Sequence, residues 1–300
     1  TRFILMGLVI CGLLLPLGVQ AGQLLDLTAT PTITESPTPI PSSTIPPTPV
    51  KEEYSWSSIP ADASRLASDR HLDILAGKFI FRGLVDASSC ADGGLLKNGA
   101  ASPCGEAVAH NAVVLWQNQF DTQIFETAAD TGIPPFILKD VFVEESQFWP
   151  ATYHNLVYGG EYGLGHVTYM GVDTLLNWNP SFYKKLCNQN FNKDACKKAY
   201  AFQDAAIKSG LSGVALITLN ADCANCKGGI DLQKASAGIS ITAATLIANR
   251  NYVEWLANTF TSASKLNPIT LWRFTLVSYN AGPGCLSNAM HNTLGHGNPL

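Results

Sequence analysis

Two adjacent carboxylates, Glu144 and Glu145, lie in a segment whose pattern predicts one helix from Pro135 to Phe148. Proline is well tolerated at the first helical position, and the segment contains no helix breaker before Pro150. At about 100° per residue, the two carboxylates project from different faces of this helix. A carboxyl group that keeps its proton near neutral pH can act as a general acid, and cleavage of a glycosidic bond requires such an acid.

The pattern predicts different environments for the two side chains. Glu145 falls on an apolar stripe of the helix, whereas Glu144 falls on the polar side with Asp140 and Gln147. The stripe consists of Ile137, Leu138, Val141, Phe142 and Phe148. An apolar setting disfavours the charged form and raises the pKa of a Glu above its usual value of about 4.3. Glu145 is therefore the candidate acid; the alternative is an ordinary boundary or ion-paired glutamate.

Two motifs further along the chain join Glu145-Ser146-Gln147-Phe148 in a recognisable set. They are Tyr162-Gly163-Leu164-Gly165-His166 and Ser278-Tyr279-Asn280-Ala281-Gly282-Pro283-Gly284. The set resembles the catalytic domain of lytic transglycosylases, which is related to goose-type lysozyme. That family has Glu-Ser-x-Phe, Gly-Leu-Met-Gln and Ala-Tyr-Asn-Ala-Gly-Pro-Gly in this order. The resemblance spans roughly residues 120–290.

The resemblance implies an all-α, lysozyme-like fold and an enzyme that acts on the glycan strands of peptidoglycan. Such an enzyme cleaves the β-1,4 bond between N-acetylmuramic acid and N-acetylglucosamine. The family's single catalytic Glu, which matches Glu145, protonates the glycosidic oxygen. It then acts as a base while the muramyl C6 hydroxyl attacks the anomeric carbon, which gives a 1,6-anhydro end. The resemblance implies no cofactor and no metal.

The resemblance also implies a set of substrate-binding residues around the acid. The family Tyr at position 279 points into the cleft and forms a hydrogen bond near the acid, whereas Asn280 could instead serve the helix terminus. His166 stands where the family has a substrate-contacting Gln, and Gly165 replaces a Met of the family core. We therefore expect this loop to be looser or re-packed. The candidate set is Ser146, Tyr162, Gly163, Leu164, His166, Tyr279 and Asn280.

Two other functions fit the same residues. A goose-type muramidase would hydrolyse the same bond with water, and it would need a second carboxylate, either Glu161 or Asp173. A non-catalytic peptidoglycan-binding module is the other alternative, and the departures at His166 and Gly165 prompt it.

The bulk composition argues against a nucleic-acid partner. Apolar residues make up 46% of the chain, and charged residues only 14%. The net charge is −4 and the pI is about 5.8, whereas a nucleic-acid partner usually calls for a clustered basic face. The chain is long enough for a sizeable core, and we expect a monomer.

The region before the motifs is predicted to serve export and spacing. Residues 1–21 are typical of a signal peptide, with an uncleaved membrane anchor as the alternative, and membrane contact is expected only in that case. Residues 22–50 form a Thr/Pro/Ser-rich linker, and residues 51–104 an N-terminal extension with a disulfide loop. Residues 105–300 form the catalytic domain, which we expect to be truncated at its C-terminus. We expect a secreted protein associated with the cell wall.

Cysteine usage favours an oxidising compartment. The expected disulfide pairs are Cys90 with Cys104, Cys187 with Cys196, and Cys223 with Cys226. The last pair could also be a redox motif or half of a zinc site, but no second ligand pair has metal spacing. Removal of Cys11 with the signal peptide leaves seven cysteines. Cys285 is then the odd one, and we predict that its partner lies beyond Leu300.

Helical periodicity dominates after Glu106, and no alternating strand pattern of useful length is present. The predicted helices, besides Pro135–Phe148, are 71–81, 107–120, 121–129, 168–178, 195–209, 235–260 and 271–279.

Overall fold

The computed structural model describes residues 56–155, 159–260 and 266–295. The predicted signal peptide, the linker and the expected partner of Cys285 lie outside these ranges. Within them the chain is mostly helical, as predicted, and adds one small antiparallel sheet. The expectation of an all-α domain after Glu106 therefore misses three strands of two to four residues, which are too short to give an alternating pattern of useful length.

The described part contains ten α-helices and three strands. The helices are α1 Asp73–Phe81, α2 Pro103–Asn118, α3 Asp121–Thr131, α4 Pro135–Ser146, α5 Tyr169–Trp178, α6 Pro180–Asn190, α7 Ala205–Leu219, α8 Leu232–Phe260, α9 Pro268–Ala281 and α10 Pro283–Gly295. The strands are β1 Tyr153–Asn155, β2 Gly159–Tyr162 and β3 Val167–Thr168. Single 3-10 turns lie at Ala63–Leu66, Ala195–Lys197, Tyr200–Phe202 and Lys227–Gly229.

Helix α8 is the central element of the fold. The middle of α8, residues 241–249, is buried at almost every position, and its small residues allow neighbouring helices to approach closely. Its first half contributes Ile239 to a core shared with α1–α4, and Ile241 to a second core shared with α5–α7. Its last turns contribute Val253 to a third core with α9 and α10. The segment before Glu106 also joins the first core, through Leu75 and Phe79.

Three helix starts follow the same capping rule. Ser102, Asn179 and Asn267 each precede a proline, and each side chain accepts a hydrogen bond from a backbone N–H of the first turn. The Asn179-Pro180 step therefore begins α6, which sequence analysis missed although the signal was present.

The predicted helix 195–209 is wrong. Its first part forms two 3-10 turns, because the Gln203 side chain donates to the carbonyl of Ala195 at 2.6 Å and the Cys187–Cys196 disulfide constrains the chain. Helix α7 then runs through Gly210, past the predicted end at residue 209. A Cβ at Gly210 would lie 2.8 Å from the Phe191 ring, so this glycine allows close packing.

Three cysteine pairs lie at disulfide-bond distance, as predicted: Cys90–Cys104, Cys187–Cys196 and Cys223–Cys226. Cys285 is exposed and has no cysteine partner among the described residues. No helix in the described ranges is both long and apolar enough to cross a membrane.

Candidate active site

Helix α4 ends at Ser146, two residues earlier than predicted. Gln147 and Phe148 both adopt left-handed backbone conformations, with φ of 47° and 62°. The N–H of Phe148 donates to the carbonyl of Phe142 at 3.1 Å, which closes the helix without a glycine. This termination turns the Phe148 ring into the core, where it is fully buried. Glu145 therefore lies in the last turn of α4, immediately before the chain reverses.

The two adjacent carboxylates lie in different environments. Glu144 is exposed, whereas Glu145 is only partly exposed and lies next to the buried Ser146. Burial raises the pKa of Glu145 to about 7, and the charges of Glu161 and Glu144 add to the increase. A hydrogen bond from the Asn280 side chain acts in the opposite direction and lowers this pKa. Glu145 can thus hold a proton at neutral pH, which is the condition for a general acid.

Two hydrogen bonds fix the turn 163–166 against the acid-bearing helix and α9. The Ser146 hydroxyl donates to the carbonyl of Leu164 at 2.7 Å, and the Tyr279 hydroxyl donates to the carbonyl of Gly165 at 2.6 Å. Ser146 and Leu164 are buried, so they hold the turn in place. The structure thereby brings together the three segments whose motifs the sequence had singled out.

The Tyr279 hydroxyl has one proton, and it donates this proton in the hydrogen bond to the carbonyl of Gly165. Burial and the charge of Glu145 raise the pKa of Tyr279 well above its usual value. Toward the acid, this hydroxyl can therefore present only lone pairs. The raised pKa of Glu145 itself comes from burial and from the charges of Glu161 and Glu144.

Gly165 lies where a larger side chain has no room. A Cβ at this position would lie 2.4 Å from the Cγ2 of Thr242 and 2.7 Å from the hydroxyl oxygen of Tyr279. The loop is therefore re-packed and not looser, since Thr242 of α8 and Tyr279 occupy the space. The Thr242 hydroxyl is buried and has no hydrogen-bond partner among the described residues.

We expect Gly165→Ala to displace the Tyr279 hydroxyl and to destabilise the fold by about 1–3 kcal/mol. Gly213→Ala is the matched control, since a Cβ there meets nothing within 4 Å in the middle of α7. The control should be neutral or slightly stabilising, because Ala favours a helix over Gly by about 1 kcal/mol. Thermal unfolding measures both. Equal unfolding temperatures for Gly165→Ala and the wild type would show that the crowding is absent.

Glu161 and His166 lie side by side at the sheet. The Nδ1 of His166 is 3.8 Å from a carboxyl oxygen of Glu161, too long for a hydrogen bond. Burial lowers the pKa of His166 to about 4, so the imidazole is neutral near pH 7 and the contact is not an ion pair. Burial raises the pKa of Glu161. His166 has a positive φ of 48°, and its ring centroid lies 6.0 Å from that of Tyr153.

The sheet explains why Glu161 reaches the site. Strand order is β1-β2-β3, both pairs are antiparallel, and Glu161 lies opposite Tyr153 on one side and Thr168 on the other. Asp173, the other candidate for a second carboxylate, instead accepts a hydrogen bond from the Tyr200 hydroxyl at 2.9 Å. Among these two carboxylates, only Glu161 acts on the pKa of Glu145.

The remaining candidates have different positions. Asn280 is exposed and contacts Glu145, a role that sequence analysis did not assign. Gly163 needs its positive φ of 69°, and a Cβ there would lie 3.1 Å from the carbonyl oxygen of Leu219. Tyr162 is partly buried against the second core. Tyr153, which borders Glu161 and His166, was missed, since nothing in its local sequence marks it.

In the described part of the chain, no group of three or more His, Cys, Asp or Glu side chains could hold a metal ion. The side chains gathered at the site carry carboxyl, hydroxyl, amide and imidazole groups. Their arrangement suits proton transfer to and from a neutral, hydroxylated ligand.

The chain matches no protein-family model, no curated protein and no solved structure.

Proposed function

We propose that this protein is a peptidoglycan lytic transglycosylase that cleaves the bond between N-acetylmuramic acid and N-acetylglucosamine. The observation that carries the proposal is the largely buried carboxyl of Glu145 where the three motifs meet, because burial raises its pKa to about 7. A lysozyme-like fold and secretion to the cell wall belong to the same proposal. The three disulfides support secretion, because disulfides persist in oxidising compartments.

In the proposed reaction Glu145 transfers its proton to the glycosidic oxygen as the bond from that oxygen to C1 breaks. The Glu145 carboxylate then takes the proton of the muramyl C6 hydroxyl while the C6 oxygen bonds to C1. The acid is thereby restored, and no water is consumed. A carboxyl with a pKa of about 7 can perform both steps at neutral pH, because it is present in both forms.

In this reaction Tyr279 and Asn280 would each serve one form of Glu145. Tyr279 can accept from the protonated carboxyl, whereas Asn280 donates to the carboxylate that forms after proton transfer. This pair suits a group that must alternate between acid and base.

The products test the proposal directly. Purified peptidoglycan should be digested with the protein, and the released muropeptides read by mass spectrometry. Anhydro-muramyl ends support transglycosylation. Reducing ends, heavier by one water, indicate hydrolysis. No release above a heat-inactivated control would contradict any glycan-cleaving function.

Hydrolysis is the second candidate, and one observation favours it: the charge of Glu161 acts on Glu145. In that case Glu161 would take a proton from water, and the water oxygen would bond to C1. We expect Glu161→Gln to leave the anhydro product in place if the transglycosylase proposal is correct. It should abolish reducing ends if Glu161 activates water. Asp173→Asn is the control, because Asp173 is hydrogen-bonded to Tyr200 away from the acid.

A further inference from the structure

The N-terminal segment contributes two cations beside the candidate site. Lys78 of α1 places its ammonium 5.7 Å from the centroid of the Tyr153 ring. Tyr153 in turn lies opposite Glu161 and has its ring centroid 6.0 Å from that of His166. A row of side chains therefore runs from the site through His166 and Tyr153 to Lys78.

Arg82 extends this row at the end of α1. It is the C-cap residue, one helical turn after Lys78. Burial lowers the pKa of Lys78, and the positive charge of Arg82 lowers it further. Its guanidinium lies against the turn that follows the Cys223–Cys226 disulfide. A Cβ on Gly229 would be 3.0 Å from the Nη1 of Arg82.

Neither cation has a carboxylate within ion-pair distance in the described part of the chain. Several other cations do: Arg70, Lys139, Lys197 and Arg250. Acidic side chains of the neighbouring elements have other partners. Asp73 accepts from the Gln147 amide at 2.9 Å, and Asp222 accepts from the backbone N–H of Thr152 at 3.2 Å.

A partly buried ammonium without a counter-charge is unfavourable, and a second cation nearby increases the cost. Partial burial distinguishes the Lys78 ammonium from exposed cations without a carboxylate partner, such as Lys184 and Lys185. Arg82 itself is exposed, so its guanidinium is accessible to a ligand. An anion bound between Lys78 and Arg82 would remove both penalties. Since the row begins at the candidate active site, the anion should belong to the same ligand that reaches Glu145.

We propose that Lys78 and Arg82 bind an anionic oxygen group, carboxylate or phosphate, carried by the glycan strand. This inference rests on the proposed function. The sugar backbone of peptidoglycan is uncharged, whereas its peptide stems carry carboxylates and attached wall polymers can carry phosphates. The N-terminal segment thereby makes the protein select substituted strands over bare ones.

Binding to three glycan preparations tests the proposal. They are strands with peptide stems, strands from which an amidase has removed the stems, and strands that keep a phosphate-rich wall polymer. The full chain with Glu145→Gln binds without turnover and is the parent. Lys78→Met with Arg82→Gln removes both charges. Lys184→Met with Lys185→Gln is the matched control, since both lysines are exposed on α6.

Loss of the two charges should weaken binding to a substituted preparation roughly fivefold at low salt, and added salt should remove the difference. A loss confined to peptide-bearing strands identifies the carboxylates as the ligand, and one confined to polymer-bearing strands identifies the phosphates. Lys78→Arg should retain binding, which separates charge from packing. The Lys184/Lys185 control should bind as the parent does.

Equal binding of parent and double variant to all three preparations would overturn the inference. If the wild type still digests peptidoglycan in that case, only the role of Lys78 and Arg82 fails. If the wild type digests none of the preparations and the parent binds none, the glycan-cleaving function fails and the inference fails with it.

Discussion

Replacing Glu145 by Gln should lower the rate of glycan cleavage by roughly a thousandfold, because removal of a general acid typically costs 10²–10⁴-fold. Gln keeps the size of the side chain and can still accept the hydrogen bond from Asn280, so the fold should be retained. Release of soluble muropeptides per unit time measures the effect.

Glu144→Gln is the matched control, one residue away on the exposed side of the helix. Its charge contributes only the smallest of the three effects that raise the pKa of Glu145. The variant should therefore keep near wild-type activity. If Glu144→Gln were the damaging change and Glu145→Gln were active, the assignment of the acid would be wrong.

The raised pKa of Glu145 also determines how activity should depend on pH. Activity that needs the protonated form should fall as the pH rises through about 7. Glu161→Gln removes a negative neighbour and should move this alkaline limb to lower pH. The corresponding Asp173→Asn profile should match that of the wild type.

The free energy of unfolding should also depend on pH through Glu145. The pKa of Glu145 is about 7 in the folded chain and 4.5 without the fold, so its favourable contribution is complete below pH 4.5 and is lost as the pH rises through 7. Glu145→Gln should thus be more stable than the wild type at pH 8, by about 1–2 kcal/mol after allowance for solvent screening. The two proteins should be equally stable near pH 4.

Local sequence was sufficient to predict the type of most elements and the contrast between Glu144 and Glu145. The contrast follows from helical periodicity over one turn, which needs only that α4 forms. The disulfide pairs were also predictable, because each joins cysteines close in sequence. The helix starts at Asn179 and Asn267 follow capping rules that depend on residue type alone, so they can be recognised in the sequence.

The rest depends on contacts between distant segments. The left-handed backbone conformations of Gln147 and Phe148 are stabilised by burial of the Phe148 ring. The sequence contains no glycine at these positions that would have indicated such a conformation. Strands of two to four residues are too short for an alternating pattern to be detected. The approach of Lys78 to Tyr153 joins positions far apart in the sequence, so neither residue stands out alone.

A buried ion pair on the acid-bearing helix has the largest expected effect on stability. Lys139 of α4 contacts Asp121 of α3 at 2.6 Å, and both side chains are almost fully buried. The same ammonium donates to the carbonyl of Leu66 at 2.7 Å and to the Asn118 side chain at 2.8 Å. It thereby joins four segments behind the helix that carries Glu145.

Asp121→Ala or Lys139→Met alone should destabilise the fold by about 3–5 kcal/mol, because each leaves one buried charge uncompensated. Burial raises the pKa of Asp121 and lowers that of Lys139, so the two variants should respond oppositely to pH. Lys139→Met should regain stability as the pH falls, since Asp121 can then become neutral. Asp121→Ala should regain stability as the pH rises, since Lys139 can then lose its proton.

Urea unfolding of the wild type, the two single variants and the double variant at several pH values measures the coupling energy between Lys139 and Asp121. The double variant should be less destabilised than the sum of the single variants, because it leaves no unpaired charge. Additive losses without opposite pH trends would mean that Lys139 and Asp121 stabilise the fold independently. Lys197→Met is the control, since its pairing with Asp194 is exposed and such pairs contribute about 0–1 kcal/mol.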